Sequence, residues 1–254
     1  MRTRIGLSCP SLSLIPLERS LPRVAEHFDH WEIIAEAEHS PEKLVDQKGL
    51  LASFDLSLSI HAPLSDVNIG SVNSEMREAS IQQVTRAIRA APLISVPVVT
   101  VHPAHLSPLG SLVPHRVEEI CASSVRRLGK VADDVGVTLA LENMPRLSNA
   151  LPAYQHPEGV IAAIKDTGVK LCFDVGHANS AGSIDEFLRY KHMFANVHLH
   201  DNMGEGDPHL PLGSGNIDFS RVFNELRGCR CSLIIESRTV DEGRLGQQRL
   251  LRWL

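Results

Sequence analysis

Aromatic side chains are scarce in this chain, at 4% of 254 residues. Two Trp, two Tyr and seven Phe are fewer than base stacking or intercalation would want. A basic excess is missing too. The formal net charge is −5, which disfavours a general attraction to nucleic acid. No apolar run approaches the ~18 residues that a membrane-spanning helix needs. The opening MRTRIGLSCPSLSL faintly suggests a secretion signal, but Ser8, Pro10, Ser11 and Ser13 interrupt its apolar stretch. Cysteine is sparse, odd in number and scattered: Cys9, Cys121, Cys172, Cys229 and Cys231. That pattern gives no disulfide framework, and Cys229-Arg230-Cys231 is too tight for the usual zinc hairpin. The expectation is a cytoplasmic protein with reduced thiols. No linker or low-complexity tract divides the chain, so residues 1–254 read as one domain.

Short apolar runs rich in Val, Ile and Leu are abundant. Eight read as strands: Arg4–Ser8, Trp31–Ala35, Leu56–His61, Pro97–His102, Thr138–Glu142, Lys170–Phe173, Asn196–His200 and Ser232–Glu236. Their continuous hydrophobicity suits strands buried on both faces. Amphipathic stretches separate them. Leu17–Phe28 follows the first, and Pro41–Phe54 follows the second with Ser40 as N-cap. Ser74–Ala91 follows the third, with Met76, Ile81, Val84, Ile88 and Ala91 along one face. His115–Val135 and Pro157–Asp166 come next, then Ser183–Met193, which opens on the capping-box pattern Ser183-Ile184-Asp185-Glu186. Phe219–Arg227, with Gly228 as C-cap, and Arg244–Leu254 complete the set. This alternation predicts an α/β fold, a single (β/α)₈ TIM barrel, with a doubly wound open sheet as its rival.

Nearly every strand candidate ends in a side chain that binds metals. His61, His102, Glu142, Asp174, His198 and Glu236 sit at or beside strand ends, and His177 follows Asp174 by three residues. Buried charges need partners, and a cation serves a ring of carboxylates and imidazoles. On a barrel these ends converge on the face where active sites sit. Glu142, Asp174, His198 and Glu236 form a mostly oxygen quartet suited to Mn²⁺, Mg²⁺, Co²⁺ or Zn²⁺. Such a site holds both oxygens of a hydroxy-carbonyl substrate while a carboxylate moves a proton between carbons. His61, His102, His177, Asp207 and His209 extend the set to nine, more than one ion takes. Two or three ions are implied, with Glu142 or Glu236 bridging, and the imidazole count favours zinc.

Other residues are candidates for supporting roles. His200 shares the strand parity of His198 and reads as a support behind the ligands or a substrate contact. His105, Asn143, Ser65, Asn68 and Asn73 are candidate substrate contacts, with loop capping the rival reading for the last three. Arg238, close to Glu236, and Arg77 are candidate phosphate or carboxylate clamps. The turn Leu212-Gly213-Ser214-Gly215-Asn216-Ile217 offers backbone N–H groups to an oxyanion. His27, His30, His39, His115 and His192 fall on helices or early loops and carry no expected role.

Taken together, these segments resemble the xylose isomerase-like barrel superfamily, which includes sugar phosphate isomerases and epimerases and the endonuclease IV type of apurinic endonuclease. The resemblance runs from about Ser59 to Ser237. It rests on HAP at His61, VHP at His102, LEN at Glu142, FDVGH from Phe173, HLHDN from His198, DPHLPLGSGNI from Asp207 and IIES ending at Ser237. It implies for the isomerase branch a metal quartet of Glu142, Asp174, His198 and Glu236, with the two glutamates as the acid–base pair. For the endonuclease branch it implies trinuclear zinc ligands at all nine positions. Leu64 follows HAP where that branch has tyrosine, and the first loop, CPSLSLIPLERS, has no basic–aromatic cluster. The expectation is therefore a divalent-metal-dependent isomerase or epimerase of a small sugar or sugar phosphate, holding one to three ions, most readily zinc, with manganese or magnesium as options. A trinuclear-zinc phosphoester hydrolase of the endonuclease IV type is the alternative.

Overall fold

A computed structural model describes residues 4–253. Eight parallel strands close into a barrel in sequence order: β1 Ile5–Ser8, β2 His30–Ile34, β3 Ser57–His61, β4 Val98–Val101, β5 Thr138–Glu142, β6 Lys170–Asp174, β7 Phe194–Leu199 and β8 Ser232–Glu236. Closure comes from β1 pairing with β8, where Ser8 lies opposite Glu236. The parallel register also sets Asp174 opposite His198 on β6 and β7. The ends of the strands are thus aligned, and the candidate ligands they carry share one rim.

The helices are α1 Leu17–Ala25, α2 Pro41–Asp46, α3 Lys48–Leu51, α4 Ser74–Ala90, α5 Pro114–Val135, α6 Pro157–Ile164, α7 Val175–Ala181, α8 Ile184–Leu188, α9 Phe219–Leu226 and α10 Val240–Leu250. Their buried stripes, such as Val117, Cys121, Val125 and Leu128 on α5, pack against the outward faces of the strands. A fully buried aliphatic or Phe side chain contributes roughly 1.5–3 kcal/mol. The ring between barrel and helices is where the fold gathers its apolar contacts. On β6, Phe173 stacks on Phe187 of α8 and Phe194 of β7, with ring centres 5.5 and 4.9 Å apart.

Several boundaries differ from those expected. Pro41–Phe54 is two short helices, broken at Gln47. Ser40 stands at the N-cap position, but its hydroxyl makes no cap bond. Ser183 does not form a capping box either: its hydroxyl donates to Gln155 O at 2.8 Å, and the stretch to Met193 breaks after Leu188. Met76 points outward, 53% exposed, rather than joining the buried face of α4. The last helix begins at Val240, earlier than Arg244, and Leu254 lies outside the described residues. Gly228, just beyond α9, takes the expected left-handed conformation at φ +84°. All five cysteines are free. Among the described residues, no helix is long and apolar enough to cross a membrane.

Candidate metal centre

Glu142, at the end of β5, is the hub of the rim. Four imidazole nitrogens face its carboxylate: His61 Nε2 at 3.3 Å, His102 Nε2 at 3.4 Å, His177 Nδ1 at 3.4 Å and His198 Nδ1 at 3.3 Å. Glu236, on β8, approaches His198 Nδ1 at 3.1 Å. Asp207 lies 3.4 Å from His177 Nε2 and 3.2 Å from His209 Nε2. All nine expected ligands are therefore brought together. They fall into overlapping groups whose donor atoms lie within 4.8 Å of one another: His61, His102 and Glu142; Glu142, Asp174, His198 and Glu236; and His177, Asp207 and His209 joined by His200. Cys172, not expected from sequence, completes a further buried group with Glu142 and His198.

The hydrogen bonds around the ligands aim them inward. His61 Nδ1 donates to Ala62 O at 2.8 Å and His177 Nδ1 to Asn143 O at 2.8 Å, which leaves each Nε2 lone pair directed at the centre. Asp174 caps α7 by accepting from His177 N at 2.6 Å. This explains why FDVGH is followed at once by a helix: the carboxylate at the strand end holds the first turn. Asn143, expected to meet substrate, instead binds the rim itself. Its Nδ2 donates to Asp174 O at 2.9 Å, and its Oδ1 accepts from Asp174 N at 2.8 Å. Arg238 donates to Pro208 O at 2.7 Å and so tethers the loop that carries Asp207 and His209. His105 sits on the loop after β4, bridged to Ala150, and its ring is partly exposed.

Three further expectations resolve into structural roles. The N–H groups of the glycine-bearing turn are occupied by the protein's own carboxylate: Asp201 Oδ2 accepts from Gly213 N and Gly215 N at 2.9 and 2.8 Å. A Cβ at Gly215 would lie 2.2 Å from Asn202 O, so only glycine allows that approach. Asn73 caps α4 through Glu75 N and Met76 N, and Asn68 binds His105 O and Gly70 N. Ser65 N donates to Glu36 Oε1, and Arg77 donates to Ser71 O.

Glu32 was not foreseen. It lies mid-strand on β2, fully buried inside the barrel. Its Oε1 is 2.8 Å from His198 Nε2, while its Oε2 accepts from Ser59, Thr100 and Asn196 at 3.2, 3.2 and 3.0 Å. A carboxylate on the far nitrogen of a metal-facing histidine fixes the tautomer and strengthens the ligand. We expect Glu32→Gln to weaken metal affinity by roughly 10–100-fold, measured by competition with a chromophoric chelator; unchanged affinity would remove Glu32 from that role.

The electrostatics are those of a site built for positive charge. Burial pushes Glu142 up, yet His198 and His102 outweigh it and hold the carboxyl well below its ordinary value. Asp207 is likewise lowered against its burial, by hydrogen bonds from His177 and His209. Burial disfavours a charged His177, but Asp174 and Asp207 lift it well above the ordinary imidazole value. Buried atoms without a hydrogen-bond partner cluster here: Glu142 Oε1, Asp174 Oδ2, His198 Nδ1, His200 Nδ1 and Nε2, and Asp207 Oδ1. Leaving such atoms unpaired is costly, and a divalent cation satisfies several at once. The donors fit one. A cavity of about 410 Å³ lies elsewhere, at the opposite end of the barrel, lined by Arg4, His30, Asn196, Cys229 and Arg230 among others.

A closed eight-stranded parallel barrel with carboxylates and imidazoles converging on its C-terminal rim defines a (β/α)₈ protein with a candidate metal centre. Within that class the chain belongs to the xylose isomerase-like TIM barrel family, whose model matches residues 22–254. It is 32% identical over 265 residues to "Uncharacterized protein MJ1311" of Methanocaldococcus jannaschii, covering 99% of this chain and 89% of that one. Among solved structures it is similar to a D-tagatose 3-epimerase-like protein, with 29% identity, TM-score 0.89 and coverage of 99% and 97%. Endonuclease IV from Thermus thermophilus shares the fold at 22% identity and TM-score 0.69, over 98% of each chain.

Proposed function

We propose that the protein is a divalent-metal-dependent isomerase or epimerase acting on a small sugar or sugar phosphate. The observation that carries this reading is the quartet Glu142, Asp174, His198 and Glu236, whose donor atoms lie within 4.8 Å of one another at the barrel mouth. The near-complete alignment with a D-tagatose 3-epimerase-like protein supports it. When bound, a divalent cation supplies Lewis acidity that polarises a carbonyl and acidifies the neighbouring C–H.

The protein's own groups divide the remaining work. Glu142 and Glu236 are the acid–base pair in this reading, in unequal positions. The Glu142 side chain is 1% exposed beneath its four imidazoles, whereas that of Glu236 is 13% exposed and opens to the mouth. Glu236 therefore takes the proton from the carbon beside the carbonyl, and Glu142 completes the exchange from below. His102, about 30% exposed, lines the same mouth and is placed to meet substrate hydroxyls. His105, on the loop after β4, completes the residues assigned to substrate binding, while Asn143 and Arg238 hold the rim and its loop in place. The acid–base groups of such a site contribute roughly 10²–10⁴-fold in rate.

The phosphoester-hydrolase alternative is favoured by one observation, that the nine ligands form groups for more than one ion. A panel of ketoses, their phosphates and DNA containing abasic sites separates the two. With protein reconstituted in Mn²⁺, Co²⁺ or Zn²⁺ and assayed in D₂O, a sugar is expected to gain deuterium at the carbon beside its carbonyl. Cleavage of the DNA without exchange into any sugar would overturn the isomerase reading.

A further inference from the structure

His200 occupies a position that neither the quartet nor substrate binding explains. It sits just past the end of β7, fully buried. Its Nε2 lies 3.2 Å from Asp174 Oδ1 and 3.4 Å from Asp207 Oδ1, and neither ring nitrogen has a hydrogen-bond partner. The ring stacks on His209 with centres 4.0 Å apart and meets His177 edge-on at 5.3 Å. Space has been made for it. A Cβ at Gly176 would come within 2.1 Å of His200 Cε1 and 2.4 Å of each ring nitrogen, so the glycine of FDVGH is what admits the ring. A buried imidazole with no partner is costly, and a tailored niche does not remove that cost.

Its neighbours are prepared for the same occupant. His177 gives its Nδ1 proton to Asn143 O and turns Nε2 toward Asp207. His209 holds a left-handed backbone at φ +47°, unfavourable for a residue with a Cβ. Such strain persists where the surroundings over-determine it and clusters at ligand clamps. Donor atoms of His177, His200, Asp207 and His209 all lie within 4.8 Å of one another.

We propose that His200 is a direct metal ligand, closing a four-donor site of three imidazole nitrogens and one carboxylate oxygen with His177, Asp207 and His209. This assignment rests on the metal-dependent reading of the rim, and not on which reaction the rim performs. Three nitrogens and one oxygen in a four-coordinate cage select zinc, whereas the oxygen-rich quartet beside it suits Mn²⁺, Mg²⁺ or Co²⁺. Four protein ligands also leave no vacant position. Structural zinc sites are closed in this way and catalytic ones are not. An ion held here would tie the Asp207–His209 loop to α7 and the end of β7 and would leave no place for the leaving oxygen of a phosphoester. The rim then pairs a structural zinc with the cations that Glu142 would help to hold, in the quartet and beside His61 and His102.

The test counts and characterises metal without relying on turnover. Protein stripped by chelator is titrated with Zn²⁺ and, separately, with Co²⁺, whose visible spectrum reports four-coordinate nitrogen–oxygen ligation. Wild type is expected to retain one slowly exchanging zinc that His200→Gln lacks, with the quartet's ion kept. His200→Cys guards against a merely disrupted fold: as a replacement ligand it is expected to restore a four-coordinate cobalt spectrum with an added thiolate-to-metal band. Unchanged zinc count and cobalt spectrum in His200→Gln would overturn the proposal. So would a wild type that epimerises sugars with a single ion in the quartet, which leaves the proposed function standing. A wild type that keeps the zinc at His200 but exchanges no sugar proton supports the ligand assignment and overturns the proposed function instead.

Discussion

Glu236→Gln is expected to lower kcat by roughly 10²–10⁴-fold while the protein stays folded. The substitution keeps the shape and one oxygen donor of the side chain but removes the proton acceptor. Glu236 is the quartet carboxylate that opens to the barrel mouth, so loss of its basicity strikes the step at carbon directly. The measurement is initial rate on whichever sugar shows deuterium exchange, with metal content and melting temperature recorded in parallel. The kinetic pattern is as informative as the size. A residue that only bound substrate would raise KM and leave kcat alone. Full activity in Glu236→Gln would take the residue out of the mechanism.

The strands were legible because each is a short apolar run, and β5 and β8 match their sequence-based bounds, Thr138–Glu142 and Ser232–Glu236. The side chains that gather at the rim were legible for a related reason, since ionisable side chains at the ends of apolar runs are conspicuous. α7 was not. VGHANSA has small residues and no apolar period, and its helix is organised by Asp174 and the backbone of His177 rather than by a hydrophobic face. Ser183 carried the right pattern for a capping box, but a tertiary contact with Gln155 took its hydroxyl. Local patterns fail where a distant partner competes for the same atom.

Glu32 and Asp201 share a different reason for being missed. Both are buried carboxylates whose partners come from remote strands or loops, so neither shows a local motif. A signal for Glu32 did exist: HWEII places an ionisable residue in the middle of a strand expected to be buried on both faces, and His30 has the same parity. The same is true of the oxyanion cradle expected at the Gly213 and Gly215 turn. The turn does bind an anion, but the anion is Asp201, at the end of the neighbouring strand. Sequence identified the type of chemistry there and had no means to identify the partner.

Glu142→Gln is expected to remove more than one equivalent of metal, which no other single substitution at the rim should do. The carboxylate belongs to the group with His61 and His102 and also to the quartet, so it is placed to bridge ions. Glu236 belongs to the quartet alone, and its glutamine variant is expected to spare the ion held near His61 and His102. The same change disturbs the metal-free fold. Removing one partner of a buried charge cluster costs about 3–5 kcal/mol, which for a chain of this size lowers Tm by roughly 10 °C. The pH dependence follows from the direction of the shift. Glu142 is held well below its ordinary value of 4.5, so its contribution is complete above that value and fades as pH falls through the lower, folded one. Glu142→Gln should therefore lose acid sensitivity along with metal, tested by melting curves from neutral pH to well below pH 4.5 after chelation. Wild-type metal content in the variant would show that the four imidazoles converge on Glu142 to pair its charge, and that the ions are held without it.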